Sequence, residues 1–202
     1  MSSFRRAACV VLLRKNQGQS TEPYEVFLVK RNPHLHFMGG FHVFPGGTLD
    51  PEDSKIPVLG DHQAELRVAA ARELFEETGI LATHSPNRPS NEVSTTLRKE
   101  LLKGKISFEQ ILHRYEMTIS GKDFIDFGRW ITPQFSPIRF DALYFAVLLP
   151  PNQTPSIVPG ELIDGFWCTP QSALLGHQNC QYFITYPVLE TLKIIRDCQE
   201  NL

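Results

Sequence analysis

The chain has 202 residues and a formal net charge of −2 at pH 7, so it lacks the basic field that nucleic-acid partners require. Hydrophobic residues make up 42% of the sequence, enough to bury a core and too much for a disordered chain. No apolar run approaches the length of a membrane span. We therefore expect a globular protein with no nucleic-acid or membrane partner, formed as one domain over residues 1–202.

The first half of the chain predicts two paired strands, a loop and a long helix. The strands are expected at 6–13 and 25–30, around a loop rich in turn residues. A short signal peptide is the alternative for the first run, but Arg14 closes it and no small-residue cleavage site follows. Residues 50–60 are expected to form a loop, and Asp61 is a candidate cap for a helix that ends at Thr78.

The second half predicts a helical insertion followed by further strands and helices. Residues 80–82 are expected to form a strand, and residues 85–120 an insertion with two helices, at 91–103 and 107–117. The remaining predicted elements are strands at 127–131, 141–149 and 161–168, a helix opened by Thr169 and Pro170, and a closing helix at 186–198 with Val188, Leu192 and Ile195 on one side. The order of these elements is that of an α/β protein.

Four cysteines constrain the redox setting. They form neither a C-x-x-C pair nor a zinc-binding spacing; they are Cys9, Cys168, Cys180 and Cys198. We expect reduced thiols, mostly in the core, and a cytoplasmic location.

The most informative stretch carries three carboxylates at positions i, i+3 and i+4, namely Glu73, Glu76 and Glu77. On a helix this spacing gathers them on one side, within roughly 100° of arc. Clustered anions on a partly buried helix repel one another, and a hard divalent cation is the natural compensation. Gly79 suits the left-handed residue that ends such a helix.

A glycine pair precedes this helix and follows a short apolar strand. Gly46 and Gly47 allow the backbone to approach a ligand closely. Together with the stretch from Arg72 to Ile80, they resemble the signature of the Nudix hydrolases, G-x5-E-x7-R-E-U-x-E-E-x-G-U, where U is a bulky apolar residue. Gly47 matches the first glycine, and residues 72–80 match the whole second half.

The match departs from that signature between its two halves. Arg72 lies 25 residues after Gly47, an insertion of 11, and the first glutamate of the signature falls on Ala64. We expect that glutamate to be absent or displaced. An acidic residue could replace it, with Glu65, Glu52 and Asp53 as candidates. Alternatively residues 50–60 are only a longer surface connection, and the tolerance of chains to loop length favours this second interpretation.

A wider resemblance points to one branch of the family. The runs at 27–33, 37–50, 129–133 and 139–141, and the stretch from Gly160 to Trp167, are similar to the Nudix branch that contains the peroxisomal coenzyme A diphosphatases. The resemblance implies an α/β Nudix fold, a mixed β-sheet sandwiched between helices, with the two-helix insertion added.

The resemblance also implies a reaction and the residues that perform it. The expected reaction is hydrolysis of a diphosphate linkage, with Mg²⁺ or Mn²⁺ held by Glu73, Glu76 and Glu77. The general base is either a carboxylate of this cluster or a distal residue, for which Glu161 is the first candidate and Asp164 the second. Arg72 is expected to be a structural partner of the helix carboxylates, four residues from Glu76.

The expected substrate is a small nucleotide derivative, with coenzyme A or acyl-coenzyme A first. ADP-ribose or a nucleotide sugar is the alternative among enzymes, and a Nudix-fold binding module without catalysis is the alternative outside them. Lys30, Arg31 and His42 could meet substrate phosphates beside Gly46 and Gly47, or they could be ordinary strand-end side chains. A homodimer is left open.

Overall fold

The computed structural model describes residues 4–16, 18, 20–60, 64–136 and 138–198. Its contacts divide the chain into two compact units that alternate along the sequence. The first contains residues up to Val10 and Gly46–Ser156, and the second contains Val11–Pro45 and residues from Ile157 onward. That these units form one domain stays a prediction.

Nine strands and five α-helices occur in the described residues. The strands are β1 Arg5–Lys15, β2 Tyr24–Arg31, β3 His42–Val43, β4 Gly46–Thr48, β5 Val58–Leu59, β6 Ile119–Ser120, β7 Ile125–Ile131, β8 Phe140–Leu148 and β9 Leu162–Cys168. The helices are α1 Ala64–Thr78, α2 Asn91–Leu102, α3 Phe108–Arg114, α4 Pro170–Gln178 and α5 Tyr186–Asp197. The predicted α/β class is confirmed, and so are both helices of the predicted insertion.

The first unit places α1 beside the strands that carry the glycine pair. β4 pairs antiparallel with the first half of β1, and Ala8 lies opposite Gly47. β7 and β8 form an antiparallel pair, whereas β5 and β6 pair in parallel. Because the pairing of β4 with β1 fixes the glycines in a ladder, their backbone is held at a defined place next to α1.

Helix α1 is buried on most of its circumference. Val68, Ala71 and Phe75 have at most 1% of their surface exposed. Leu74 is fully buried as well. Gly79 follows the helix with φ +77° and donates its N–H to the carbonyl of Phe75 at 2.8 Å, which confirms the predicted left-handed end.

The second unit is organised around β2. This strand pairs antiparallel with the second half of β1, with β3 and with β9. Thr169 caps α4 as predicted, since its hydroxyl accepts the N–H of Ser172 at 3.2 Å. The predicted apolar side of α5 is confirmed, because Val188, Leu192 and Ile195 are all buried.

Residues 50–60 are not merely a surface connection. The interpretation favoured by the tolerance of chains to loop length is therefore wrong. Pro51–Lys55 forms a 3₁₀ helix whose first N–H groups are capped by the side chain of Asp50. Asp53 is 1% exposed and Ile56 is 7% exposed. The segment is therefore part of the packed structure of the first unit.

The predicted strand at 80–82 is also wrong. Its backbone is satisfied by a side chain: the N–H of Leu81 donates to Gln153 Oε1 at 2.8 Å, and Gln153 Nε2 donates back to the Leu81 carbonyl at 3.0 Å. The apolar run is buried without a neighbouring strand, which a pattern of hydrophobic residues cannot distinguish from a strand. The predicted cap Asp61 lies outside the described residues.

The cysteines are less buried than expected. All four are reduced thiols outside any disulfide, as predicted. Cys168 is buried, but Cys180 and Cys198 are exposed, so the prediction of mostly core thiols is wrong. Within the described ranges, no helix combines the length and apolar character needed to cross a membrane.

Candidate active site

The three carboxylates of α1 lie near its C-terminal end and are all partly buried. The side chain of Glu73 is 15% exposed and that of Glu76 is 23% exposed. Helical spacing places them on one side of α1, as the sequence predicts. Because the rest of the helix is largely buried, the polar groups that α1 brings to the site lie on this side.

The glycine pair lies directly against two of these carboxylates. Glu77 Oε2 accepts the backbone N–H of Gly46 at 2.8 Å. A Cβ atom at Gly47 would lie 2.4 Å from the carboxyl carbon of Glu73. A side chain there would displace the Glu73 carboxylate, so the close approach expected of this pair is made to the carboxylates of α1.

Arg72 joins these carboxylates to the 3₁₀ helix. Its Nε donates to Asp53 Oδ1 and its Nη2 to Asp53 Oδ2, both at 2.9 Å. Its Nη1 donates to Glu73 at 2.8 Å and to Glu76 at 3.4 Å. The predicted structural partnership of Arg72 with the helix carboxylates is confirmed, and the two-pronged bond to Asp53 adds a geometric constraint to it.

Asp53 is one of the three acidic residues that the sequence offers as replacements for the missing glutamate. It lies six residues after Gly47, where the Nudix signature has its first glutamate. Counting back from Arg72 instead reaches Ala64, because the inserted residues lie between Asp53 and Arg72. Glu65 forms an ion pair with Arg6 rather than with Arg72. Counting forward from Gly47 would have found the acidic residue.

Burial governs the electrostatics of the cluster. It raises the pKa of Glu73 to about 7, against the opposing effect of Arg72, and it raises the pKa of Glu76 as well. Burial also disfavours the charge of Arg72, but its bonds to Asp53 and the charge of Glu73 outweigh this and raise the pKa of the guanidinium. One arginine therefore leaves the cluster short of positive charge.

The donor set fits a divalent cation by its chemistry. Carboxylate oxygens are the ligands that Mg²⁺ prefers, and Glu73, Glu76 and Glu77 supply them on one side of one helix. In the described residues, no three His, Cys, Asp or Glu side chains are grouped closely enough to hold a metal ion. Two of the carboxylates are bonded to Arg72 instead, so a cation would compete with this guanidinium.

The other sequence candidates gather in the second unit, at one end of β2. Lys30 lies opposite His42 of β3 and opposite Asp164 of β9. Next to it, Arg31 has a buried Nε atom that finds no hydrogen-bond partner among the described residues. The carbonyl of Glu161 is bonded at 2.7 Å to the backbone N–H that follows Arg31, and the residue is exposed.

His42 is enclosed rather than presented to solvent. It is 4% exposed, and its ring centre lies 5.8 Å from that of Phe166 and 5.2 Å from that of Tyr182. Burial lowers the pKa of the imidazole, which favours its neutral form. Lys30 and Arg31 are thus the cationic candidates at this end of β2.

Helix α1 ends against an arginine that sequence reasoning missed. Arg98, on the inserted helix α2, donates from Nε to the carbonyl of Glu76 and from Nη1 to the carbonyl of Ser156, both at 2.8 Å. Arg98 is 3% exposed, and burial lowers its pKa to about 10. No motif signals this contact, because it depends on how the insertion packs.

The Nudix class is defined by a helix with three clustered carboxylates. An arginine bonds to these carboxylates, and a glycine pair lies against them. The chain belongs to this family: the model of the NUDIX domain matches residues 3–186. The resemblance found in the sequence is thereby confirmed.

Relatives and solved structures agree with this assignment. The chain is 32% identical over 175 residues to a Caenorhabditis elegans protein named "Putative nudix hydrolase 7", covering 86% of this chain and 54% of that protein. It is 24% identical over 238 residues to human acyl-coenzyme A diphosphatase NUDT19, covering 85% and 63%. The crystal structure of a NUDIX hydrolase from Alicyclobacillus acidocaldarius superposes with a TM-score of 0.85 at 27% identity, covering 98% and 94%. The chain thus spans little more than half the length of these curated relatives.

Proposed function

We propose that the chain is a metal-dependent pyrophosphohydrolase that cleaves a diphosphate linkage in a nucleoside diphosphate derivative. The observation that carries this proposal is the carboxylate cluster of α1, held by Arg72 and pressed against Gly46 and Gly47. Such a reaction requires charge neutralisation, positioning of phosphorus and an activated water. A cluster of carboxylates short of positive charge suits the binding of the cation that this chemistry uses.

Nudix hydrolases generally use divalent metals. Here Glu73, Glu76 and Glu77 would hold Mg²⁺ or Mn²⁺. When bound, such a cation neutralises diphosphate oxygens and makes a bound water more acidic. The chain's own contribution is to hold these carboxylates in place through Arg72 and Asp53, and to leave room for them beside the glycine pair.

For the general base we propose Glu161, with a carboxylate of the α1 cluster as the alternative. Glu161 is exposed in the turn before β9. Asp164 is the weaker distal candidate, because its Oδ1 accepts the N–H of Gly165 at 2.8 Å within its own strand.

For the substrate we propose coenzyme A or acyl-coenzyme A. The similarity to proteins named acyl-coenzyme A diphosphatase supports this choice. The unpartnered Nε of Arg31 supports it independently, because a buried guanidinium N–H without an acceptor favours an anionic partner. Coenzyme A carries a 3′-phosphate that ADP-ribose lacks, and this group is the candidate partner.

The direct test is hydrolysis of a substrate panel with and without Mg²⁺. The panel contains coenzyme A, an acyl-coenzyme A, ADP-ribose and a nucleotide sugar. We expect magnesium-dependent release of phosphopantetheine from coenzyme A, or of acyl-phosphopantetheine from its acyl form. A tenfold preference for ADP-ribose or the sugar, about 1.4 kcal/mol in specificity, would contradict the substrate but not the reaction class. No hydrolysis of any member would favour a binding module instead.

A second experiment tests the role of Arg31. Dephospho-coenzyme A, which lacks the 3′-phosphate, should be hydrolysed less efficiently than coenzyme A. Arg31→Ala should narrow this difference in kcat/KM, because the variant loses the group proposed to recognise the extra phosphate. Arg196→Ala, at a partly exposed arginine of α5 that pairs with Asp197, is the matched control and should leave the difference unchanged. An unaltered preference in Arg31→Ala would exclude this recognition.

A cytoplasmic location and a homodimer stay predictions.

A further inference from the structure

The C-terminal end of α1 is fixed by groups from two other segments. The Glu76 carbonyl accepts from Arg98 Nε, and the Thr78 carbonyl accepts the N–H of Ser156, each at 2.8 Å. Arg98 Nη1 also donates to the carbonyl of Ser156. Carbonyls of the last helical turn lack partners within the helix. One arginine from the insertion therefore satisfies α1 and the segment after β8 at the same time.

The surroundings of Arg98 are unfavourable for a residue whose role is only structural. It is 3% exposed, and the acceptors it meets are two carbonyls and the hydroxyl of Ser156, none of which carries a charge. Its Nη2 atom is buried and has no hydrogen-bond partner in the described part of the chain. Burying a guanidinium that is incompletely bonded is unfavourable. Such departures from good packing are expected where a group serves a function.

The surroundings indicate what the charge serves. The acidic groups whose fields act on Arg98 are the carboxylates of Glu77 and Glu76. Arg72 is bonded to Glu73 and Glu76, whereas the Glu77 carboxylate accepts the N–H of Gly46. A cation at the C-terminal end of a helix is also favoured by the helix dipole.

We propose that Arg98 is a positioning residue of the candidate metal site. Through the carbonyl of Glu76 and through its own charge, it holds the last turn of α1 so that the carboxylates of Glu76 and Glu77 keep their places. The inserted helix α2 thereby contributes to the site. The inference rests on the proposed function, because it takes these two carboxylates to be metal ligands.

The experiment measures Mn²⁺ binding by calorimetry in the absence of substrate, alongside thermal unfolding. The variants are Arg98→Met, which removes charge and hydrogen bonds at similar length, and Arg98→Lys, which keeps the charge but not the forked geometry. Arg67→Met is the matched control. Arg67 is a 7%-exposed arginine of α1 that bonds to the carbonyl of Phe124 and stacks on Phe145.

We expect Arg98→Met to weaken Mn²⁺ binding by about 10- to 100-fold, the usual effect of removing a group that orients metal ligands. Arg98→Lys should show a smaller loss, and it decides the question if the Met variant does not fold. Arg67→Met should lower the melting temperature but leave Mn²⁺ affinity unchanged. Parental affinity in both folded Arg98 variants would overturn the inference alone. Absence of Mn²⁺ binding in the parent protein would overturn the proposed metal function, and this inference with it.

Discussion

At the scale of single residues, Asp53 determines how Arg72 is held. Asp53 is buried and Arg72 is partly buried, with side-chain exposures of 1% and 14%. Asp53→Asn removes the charge and turns an amide N–H₂ toward the guanidinium. We expect a loss of about 3 kcal/mol in the free energy of unfolding, because the largely buried guanidinium loses the charged partner that accepts from two of its nitrogen atoms. Chemical denaturation measures this.

The matched control for that substitution is Glu52→Gln, one residue away. Glu52 pairs with Lys55 on the surface, where both side chains are more than half exposed. An exposed pair contributes little, so this variant should unfold close to the parent. Equal destabilisation by the two substitutions would show that the bond between Asp53 and Arg72 is not what stabilises the segment.

Glu73 predicts a specific dependence of stability on pH. Its pKa is raised from 4.5 to about 7 in the folded protein. Between these values the folded state binds a proton that the unfolded chain releases, so stability decreases as pH rises from about 4.5 to about 7. Glu73→Gln should remove this contribution. Without metal, the melting temperature of the Glu73→Gln variant should fall less between about pH 4.5 and about pH 8 than that of the parent. Parallel curves would contradict the raised pKa.

Sequence reasoning identified the carboxylates of α1 and their arginine, because helical spacing alone brings them together. It named Asp53 only as one of three acidic candidates, without its pairing to Arg72, and it did not find Arg98. The partner of Arg72 lies before the inserted residues, and the position of Arg98 depends on the packing of α2 against α1. Contacts between segments distant in sequence leave no periodic signal.

At the scale of elements, the packing around β4 constrains Gly46 and Gly47 in different ways. A Cβ atom at Gly46 would lie 2.3 Å from the carbonyl oxygen of Ala8, at φ +154°. At Gly47 it would meet the end of the Glu73 side chain, which can move. The first clash is with backbone and the second with a functional group.

The two glycines should therefore respond differently to alanine. Gly46→Ala should destabilise the fold by about 1–3 kcal/mol through backbone strain. Gly47→Ala should melt near the parent but lose turnover by about tenfold or more, because a carboxylate of the site is displaced. Melting and hydrolysis measured on the same preparations separate these outcomes. A stable, active Gly47→Ala variant would show that its close contact with Glu73 is dispensable.

Most elements could be predicted from hydrophobic periodicity. The closing helix α5 is an example, since Val188, Leu192 and Ile195 lie on one buried side. The run at 80–82 misled the prediction because Gln153 supplies the hydrogen bonds that a strand would supply. The 3₁₀ helix at Pro51–Lys55 was missed because its length is too short to show a period.

At the scale of the whole molecule, the candidate groups are divided between two compact units. The carboxylate cluster belongs to the first unit, and Lys30, Arg31 and Glu161 belong to the second. Family membership was predictable because the residues of the signature are local in sequence. The grouping of Lys30, Arg31 and Glu161 was not predictable, because it depends on the pairing of β2 with β3 and β9.

The central claim is that the carboxylates of α1 hold the metal ion on which hydrolysis depends. The most direct measurement is turnover of coenzyme A across a Mg²⁺ titration for the parent, Glu77→Gln and Glu65→Gln. Glu77→Gln is nearly isosteric but neutral, and it should cut kcat by more than about a hundredfold with its melting temperature preserved. Glu65→Gln, on the same helix but paired with Arg6, should retain parental turnover. Near-parental turnover in Glu77→Gln would contradict the account.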